Sequence, residues 1–287
     1  MSSHDDLWTG GDVYVSPRHL ALATLSGDPA LAPLYRLGWP LTYDERGNLY
    51  LSSPDGTVRL GYLSEGPDDG LWRINAYEDP FGPPAWGVCF NDRCPTEFVT
   101  AFTTALAAAY EQGPGSYLAK PVVGRSDSDF FLAFVPLMRR GWQIDHPRWG
   151  MVAVESSDGL ATVEYATGAL DPAAELTTRE ARWHLWAGPS TEHPLWYATA
   201  STDTPTALIR AVTESLCDSA PLPRWRQETH TYAEGLAQLT PVLPPGPPIP
   251  TPLDVRRTAS HRPAALPAAS VPRWSTASRP VLPGPRR

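Results

Sequence analysis

His184 and His193 stand nine residues apart on either side of Trp186, with Glu192 next to the second imidazole. Imidazole and carboxylate together can pass protons near neutral pH or ligate a transition metal. Either chemistry needs a third convergent group, an acid that orients the base or a further ligand. Glu192 is the nearest candidate in sequence. Two solvated surface histidines are the competing reading.

The remaining chemistry-bearing residues point to structure. Asp44-Glu45 and Asp68-Asp69 are adjacent acids that could act as an acid and a base or hold calcium, but no EF-hand spacing surrounds them. They read as solvated turn residues. Gly113-Pro114-Gly115 resembles a phosphate loop only superficially: it follows a helical pattern and lacks the Lys-Ser/Thr step, so it reads as a linker. The chain has no G-x-S-x-G elbow, no Walker loop, no G-x-G-x-x-G and no H-E-x-x-H. Cys89, Cys94 and Cys217 are odd in number and lack the paired C-x-x-C spacing of a zinc site, so they read as small buried or semi-exposed thiols. No catalytic residue, cofactor or metal is expected.

Eleven tryptophans remain. An exposed tryptophan row could stack bases or sugars, or anchor a protein partner. Trp39, Trp72, Trp86, Trp142, Trp183 and Trp196 fit a core better, because they fall into two matching sets. Gly38-Trp39, Asp55-Gly56 and Tyr62 return 103 residues later as Gly141-Trp142, Asp158-Gly159 and Tyr165. Asp44 has a looser counterpart in Asp145. Trp72 then answers to Trp183, Trp86 to Trp196, Pro95-Thr96 to Pro205-Thr206 and Leu106 to Leu216, with the offset settling at 110 after a longer loop. Ordered correspondence over about a hundred residues indicates a duplicated domain. Trp186 has no partner in the first copy, and neither histidine has one. Trp186, His184 and His193 are therefore the candidate interaction residues, with Trp186 expected to be exposed.

The elements that must position these residues follow from periodicity and punctuation. In the first copy, DVYVSPRHLA opens with strand-type alternation and turns at Ser16-Pro17. Asp28-Pro29 starts a helix through Tyr35 that Gly38 ends. NLYLSS, TVRLGYL, LWRINAYE and PAWGVCF read as four strands. Pro54, Asp55 and Gly56 of the Ser53-Pro54-Asp55-Gly56 turn join the first two as a hairpin. A helix from Pro95 carries Phe98, Phe102, Ala105, Leu106 and Ala109 on one face.

The second copy offers a helix around residues 130–140. Strands follow near 151–155, 161–165, 182–186 and 195–200, then a helix capped by the Thr204 hydroxyl. Residues 223–239 read as one further helix.

The expected fold is thus α+β: two tandem α-β-β-β-β-α units with antiparallel sheets in a pseudo-two-fold arrangement. Residues 1–11 are expected to be a disordered arm, 12–118 the first domain, 119–240 the second with its extra helix, and 241–287 a disordered Pro/Arg-rich tail.

The net charge of −8 hides an asymmetry. From residue 241 onward seven arginines face one acid, a local +6 that leaves −14 on the rest. An acidic body repels phosphate backbones, so nucleic acid is conceivable as a partner only through the tail. No apolar run approaches the 18 or so residues that cross a bilayer, and MSSHDDLWTGGD lacks the basic and apolar regions of a signal peptide. A cytoplasmic protein with no membrane association is expected.

Several of these runs resemble one family. VSPRHLA at 15–21, GW at 38–39, D-x-x-GN at 44–48, SPDG at 53–56, LGYL at 60–63, LWRI at 71–74, DPFGPPAW at 79–86 and PTEFVTAF at 95–102 are similar to the actinobacterial domain of unknown function 317, the SPDY domain. The resemblance covers residues 12–110 and returns more weakly in the second copy, where Ser157-Asp158-Gly159 lacks the proline. Gly56 stands where the nickname has Tyr. The resemblance implies an intracellular actinobacterial protein, often of two such domains, and brings no activity, cofactor or catalytic residue with it.

Abundant tryptophan without a polar catalytic set favours a non-enzymatic protein-interaction or scaffold module. The alternatives are a nucleic-acid accessory protein that uses the basic tail, and an enzyme with an unrecognised site. One deep pocket holding convergent ionisable residues from both copies would favour the enzyme.

Overall fold

The computed structural model describes residues 12–24, 27–64, 72–118, 129–145, 150–177, 180–229 and 235–242. The arm at 1–11, the acid pair Asp68-Asp69 and tail residues 243–287 lie outside the described residues.

The first copy contributes β1 (Asp12–Ser16), a 3₁₀ turn (Arg18–Leu20), α1 (Asp28–Tyr35), β2 (Leu41–Tyr43), β3 (Leu49–Ser52), β4 (Val58–Tyr62), β5 (Trp72–Ala76), β6 (Trp86–Phe90), α2 (Thr96–Gln112) and α3 (Pro114–Tyr117). The second contributes α4 (Phe131–Arg139), β7 (Gln143–Ile144), β8 (Met151–Glu155), β9 (Ala161–Ala166), α5 (Pro172–Thr177), β10 (Trp183–Ala187), β11 (Trp196–Ala200) and α6 (Thr206–Leu216). The chain then adds β12 (Leu222–Trp225), α7 (Arg226–Thr229) and β13 (Gln238–Pro241).

The fold is α+β with antiparallel sheets. Strands β2 to β11 form one ten-stranded sheet in the order β2-β3-β4-β5-β6-β11-β10-β9-β8-β7. The order runs up through the first copy and back down through the second. β6 and β11 join the copies, pairing Phe90 with Ala198, Cys89 with Thr199 and Val88 with Ala200. Two meanders that would each leave an unpaired inner edge thereby satisfy each other's backbone groups.

Strand side chains alternate between two faces. Val58, Leu60, Trp72, Ile74, Trp86, Val88 and Phe90 of the first copy, and Val154, Val163, Trp183, Leu185, Trp196 and Ala198 of the second, point into one continuous apolar core. Helices α1, α2, α6 and α4 cover that face, with α2 against α6 across the joint. The Thr213 hydroxyl of α6 donates to the Ala133 carbonyl of α4 at 2.7 Å.

The hairpin turn is built alike in both copies. Ser53 Oγ donates to Asp55 Oδ1 at 2.6 Å and accepts from Val58 N at 2.9 Å. Ser156 Oγ donates to Asp158 Oδ1 at 2.5 Å and accepts from Ala161 N at 2.9 Å. Gly56 and Gly159 both adopt φ +71°, the left-handed conformation that a side chain disfavours.

Three expectations are corrected. Each copy gives the large sheet five strands rather than four, because the short segments Leu41–Tyr43 and Gln143–Ile144 pair along the sheet edges. Residues 223–239 do not form one helix: among the described residues only α7 (Arg226–Thr229) is helical. β12 and β13 pair antiparallel with β1 on either side, making a separate three-stranded sheet. Leu222 alternates with Pro223 at period two and buries against Val13, Val15 and Ala21, while Arg224 pairs with Glu97 at 2.7 Å. The ordered chain therefore continues past 240: Val242 N donates to Asp12 O at 2.9 Å, and the compact unit closes at Val242.

Thr204 is the third correction. Pro205 occupies the cap position of α6 without a side-chain cap, and the Thr204 hydroxyl lies 3.4 Å from that of Ser201.

Candidate functional site

The helices leave the other face of the large sheet to a different set of side chains. Strand register aligns Arg73, Cys89, Thr199, His184 and Glu164 in one row across β5, β6, β11, β10 and β9. His184 sits on this face because it alternates with the core residues Trp183 and Leu185. Its Nδ1 lies 3.1 Å from Oε2 of Glu164, directly opposite on β9. The Tyr197 ring lies beside it, with centroids 6.3 Å apart.

A cleft of about 760 Å³ opens over this row at the joint between the copies. His184, Tyr197 and Thr199 line it from the sheet, Glu192 and His193 from the β10–β11 loop, and Asn91, Asp92 and Arg93 from the turn between β6 and α2. Asn91 fixes that turn to the second copy: its Oδ1 accepts from Tyr197 N at 3.1 Å, and its N donates to Tyr197 O at 3.1 Å. The volume is that of a small-molecule or peptide site. The pair His184–Glu164 can orient an imidazole for proton transfer or present it as a fixed hydrogen-bonding group. Among the described residues no three His, Cys, Asp or Glu side chains converge as a metal would require.

The longer loop of the second copy also lies on this face. α5 places Leu176 against the backbone of Gly87, where an added Cβ would stand 2.9 Å from Leu176 Cδ2 and 2.7 Å from Asn75 Oδ1. Only glycine accommodates so close an approach without a shift. Glu175 is buried and accepts from the amide and hydroxyl of Thr202 at 2.5 and 2.6 Å. Arg182 donates to the carbonyls of Ala166 and Gly168, tying down the loop's start. A second hollow, about 660 Å³, lies alongside, lined by Asp79, Glu175, Arg182 and Asp203 among others.

His184 and His193 thus meet in one cleft with Glu192. Trp186 departs from expectation: it is 8% exposed rather than solvent-facing. It lines a neighbouring pocket of about 210 Å³. Trp39, Trp72, Trp86, Trp142, Trp183 and Trp196 are buried. Tyr62 packs edge-on to Trp72 and Tyr165 to Trp183, at 4.5 and 4.7 Å. The indole N–H groups of Trp86 and Trp196 each donate at 2.7 Å, to Tyr117 O and His19 O. Tyr117 belongs to α3, so the Gly113-Pro114-Gly115 stretch is packed structure rather than a free linker. Trp225, on β12, is 45% exposed.

Asp158, Cys94 and Cys217 are among the titratable groups whose pKa is shifted. Burial pushes the Asp158 carboxyl up, but hydrogen bonds from His19 and Ser156 and the His19 charge outweigh it and hold the group well below the usual carboxylate range. Burial raises the thiols of Cys94 and Cys217, which disfavours the reactive thiolate.

Asn91, Asp92, Arg93, Tyr197 and Thr199 are cleft residues that the sequence reading passed over. Tyr197 and Thr199 carry a local signal, alternation with Trp196 and Ala198. Residues 91–93 carry none, because only the β6–β11 pairing brings them to the site.

No curated protein and no solved structure matches the chain. A family profile, SPDY, described as a domain of unknown function (DUF317), matches residues 52–111 and again 155–222. Each match opens beside the serine–aspartate turn and takes in the next three long strands and the following helix. With one turn geometry and one strand succession in both, the chain is a tandem member of the SPDY family, carrying two copies of the DUF317 domain.

Proposed function

We propose that the body is a non-enzymatic protein-interaction module whose docking surface is the cleft over the β6–β11 joint. The observation that carries this reading is the composition of the cleft: its floor and walls come from both copies, and mostly from features the copies do not share. Its two-sided construction supports two units related by a pseudo-two-fold axis between β6 and β11, acting as one binding body with boundaries near 12–118 and 119–242. A tandem arrangement then serves to make a single asymmetric site. No helix among the described residues is long and apolar enough to cross a membrane, and a cytoplasmic setting suits the free cysteines.

The test is affinity capture from the native host with the full chain. Thr199→Arg places a long cation in the cleft floor, whereas Tyr35→Arg alters the exposed residue Tyr35 on α1. A partner recovered by wild type and Tyr35→Arg but lost with Thr199→Arg supports the reading. Equal recovery by all three contradicts it, and loss only on deleting 243–287 moves the function to the tail and favours a nucleic-acid or tail-borne role.

A catalytic reading is favoured by one observation, the His184–Glu164 hydrogen bond in a cleft that gathers ionisable groups from both copies. His184 would serve as a proton-transferring base oriented by Glu164. Incubating host metabolite extract with wild type and with His184→Gln tests it: a mass change made only by wild type supports catalysis, and identical profiles count against it.

A further inference from the structure

Where the two copies meet, strands β6 and β11 pair and the helices above them, α2 and α6, pack on each other. The outer end of the second copy presents the same two parts, an edge strand and an overlying helix. β7 pairs only with β8 among the described strands, and α4, packed on α6, β7 and β8, ends the helix layer.

α4 is apolar on both sides. Ala133, Phe134, Pro136 and Leu137 are buried in the core. Phe131, Leu132 and Met138 are exposed, and the half-buried Val135 stands among them at helical spacing, so a second apolar stripe runs along the outer side. Ile144 of β7 is exposed as well. The Phe131 ring stacks on Phe130 at 4.4 Å, and Phe130 stacks on Tyr165 at 4.1 Å, which orders the stripe in advance of any contact. The opposite end of the helix layer differs: α1 and its cap expose Asp28, Pro29, Tyr35 and Arg36, with one large apolar residue among them. The outer stripe therefore belongs to α4 and is not demanded by the fold.

Opposite charges mark the two ends of this stripe. Asp129 precedes α4 and Arg139 closes it; both are exposed, and among the described residues neither side chain has a partner. A matching surface must offer an apolar stripe of the same length, a cation beside Asp129 and an acid beside Arg139. A second α4 run antiparallel offers all three. A two-fold axis beside Val135 sets Phe131 of one molecule by Met138 of the other, a favourable sulfur–aromatic contact. It also brings Arg139 within about two residues, roughly 3 Å along the axis, of the other molecule's Asp129, a gap that an arginine side chain spans.

We propose that the chain forms a two-fold dimer through α4, antiparallel to its counterpart, with the β7 edges alongside. A helix of nine residues makes a small interface by itself, and Ile144 and the β7 edge extend it. The cleft lies on the other face of the sheet, so the dimer carries two open clefts.

Sedimentation equilibrium of the full chain over a concentration series tests the proposal, with circular dichroism confirming that each variant is folded. Wild type is expected to reach twice the chain mass. Leu132→Glu, a charge placed at an already exposed position, is expected to weaken the dimer about tenfold or more. Asp129→Arg and Arg139→Asp are each expected to weaken it about threefold at low salt, and the two together to restore it. Each reversal opposes the dipole of α4, so recovery in the double variant can come only from pairing between molecules. A wild type that stays monomeric overturns the proposal, as does a dimer indifferent to Leu132→Glu. A dimer indifferent to both charge reversals, or weakened by them and not repaired by the double variant, overturns the antiparallel pairing.

Discussion

His19, near the start of the first copy, is joined to Asp158 in the hairpin turn of the second, with Nε2 and Oδ2 2.9 Å apart. The same residue's carbonyl accepts the Trp196 indole, and its ring meets Trp142 edge-on at 5.7 Å. The start of the first copy thus packs against the core of the second. Because the Asp158 carboxyl is held below its ordinary 3.8, the unfolded chain binds that proton more readily than the folded one. Its stabilisation is complete above about pH 4 and is lost as pH falls from there towards the lowered value. Asp158→Asn is expected to cost about 1 kcal/mol at neutral pH, a figure reduced for the group's partial exposure, and to flatten the acid limb of stability against pH. Urea unfolding from pH 3 to pH 7 measures both.

Gly87 and Leu176 form a second link, between the joint strand and the inserted helix. Gly87→Ala is expected to destabilise by about 1–2 kcal/mol and to speed hydrogen exchange in 172–177, because its Cβ meets Leu176 and Asn75. Leu176→Ala removes one of those contacts. A double-mutant cycle should show the two changes costing less together than the sum of their separate effects.

The continuous sheet makes the two copies one folding unit. Trp86→Phe or Trp196→Phe deprives a buried carbonyl of its donor and should cost about 2 kcal/mol in either copy. Both variants should unfold in one transition, coincident by tryptophan fluorescence and far-ultraviolet circular dichroism. Two separated transitions would mean that the β6–β11 joint does not couple the copies.

Local chemistry made some of this structure legible. Ser53-Pro54-Asp55-Gly56 announces its turn because the serine and aspartate side chains satisfy the turn's amides and glycine takes the positive φ. The stripe Phe98, Phe102, Leu106 announces α2 by its spacing. What escaped was non-local. Leu222–Trp225 reads as well into a helical run as into a strand, and only β1, two hundred residues earlier, decides for the strand. Leu41–Tyr43 is too short and polar to signal a strand until β3 offers it an edge.

The site divides in the same way. His184, Glu192 and His193 were visible as titratable residues absent from the first copy. Glu164 was hidden in a strand twenty residues earlier, and Asn91–Arg93 in a turn of the other copy. Trp186 was misread because the lack of a counterpart in the first copy says nothing of its burial, which tertiary packing decides.

The most direct test of the cleft is amide hydrogen exchange of the full chain, alone and with the captured partner. Docking at the β6–β11 joint predicts new protection in 91–93 and 190–197, with α1 and the three-stranded sheet unchanged. Protection confined to α1, the small sheet or residues 243–287, with 91–93 and 190–197 exchanging as in the free chain, would contradict it.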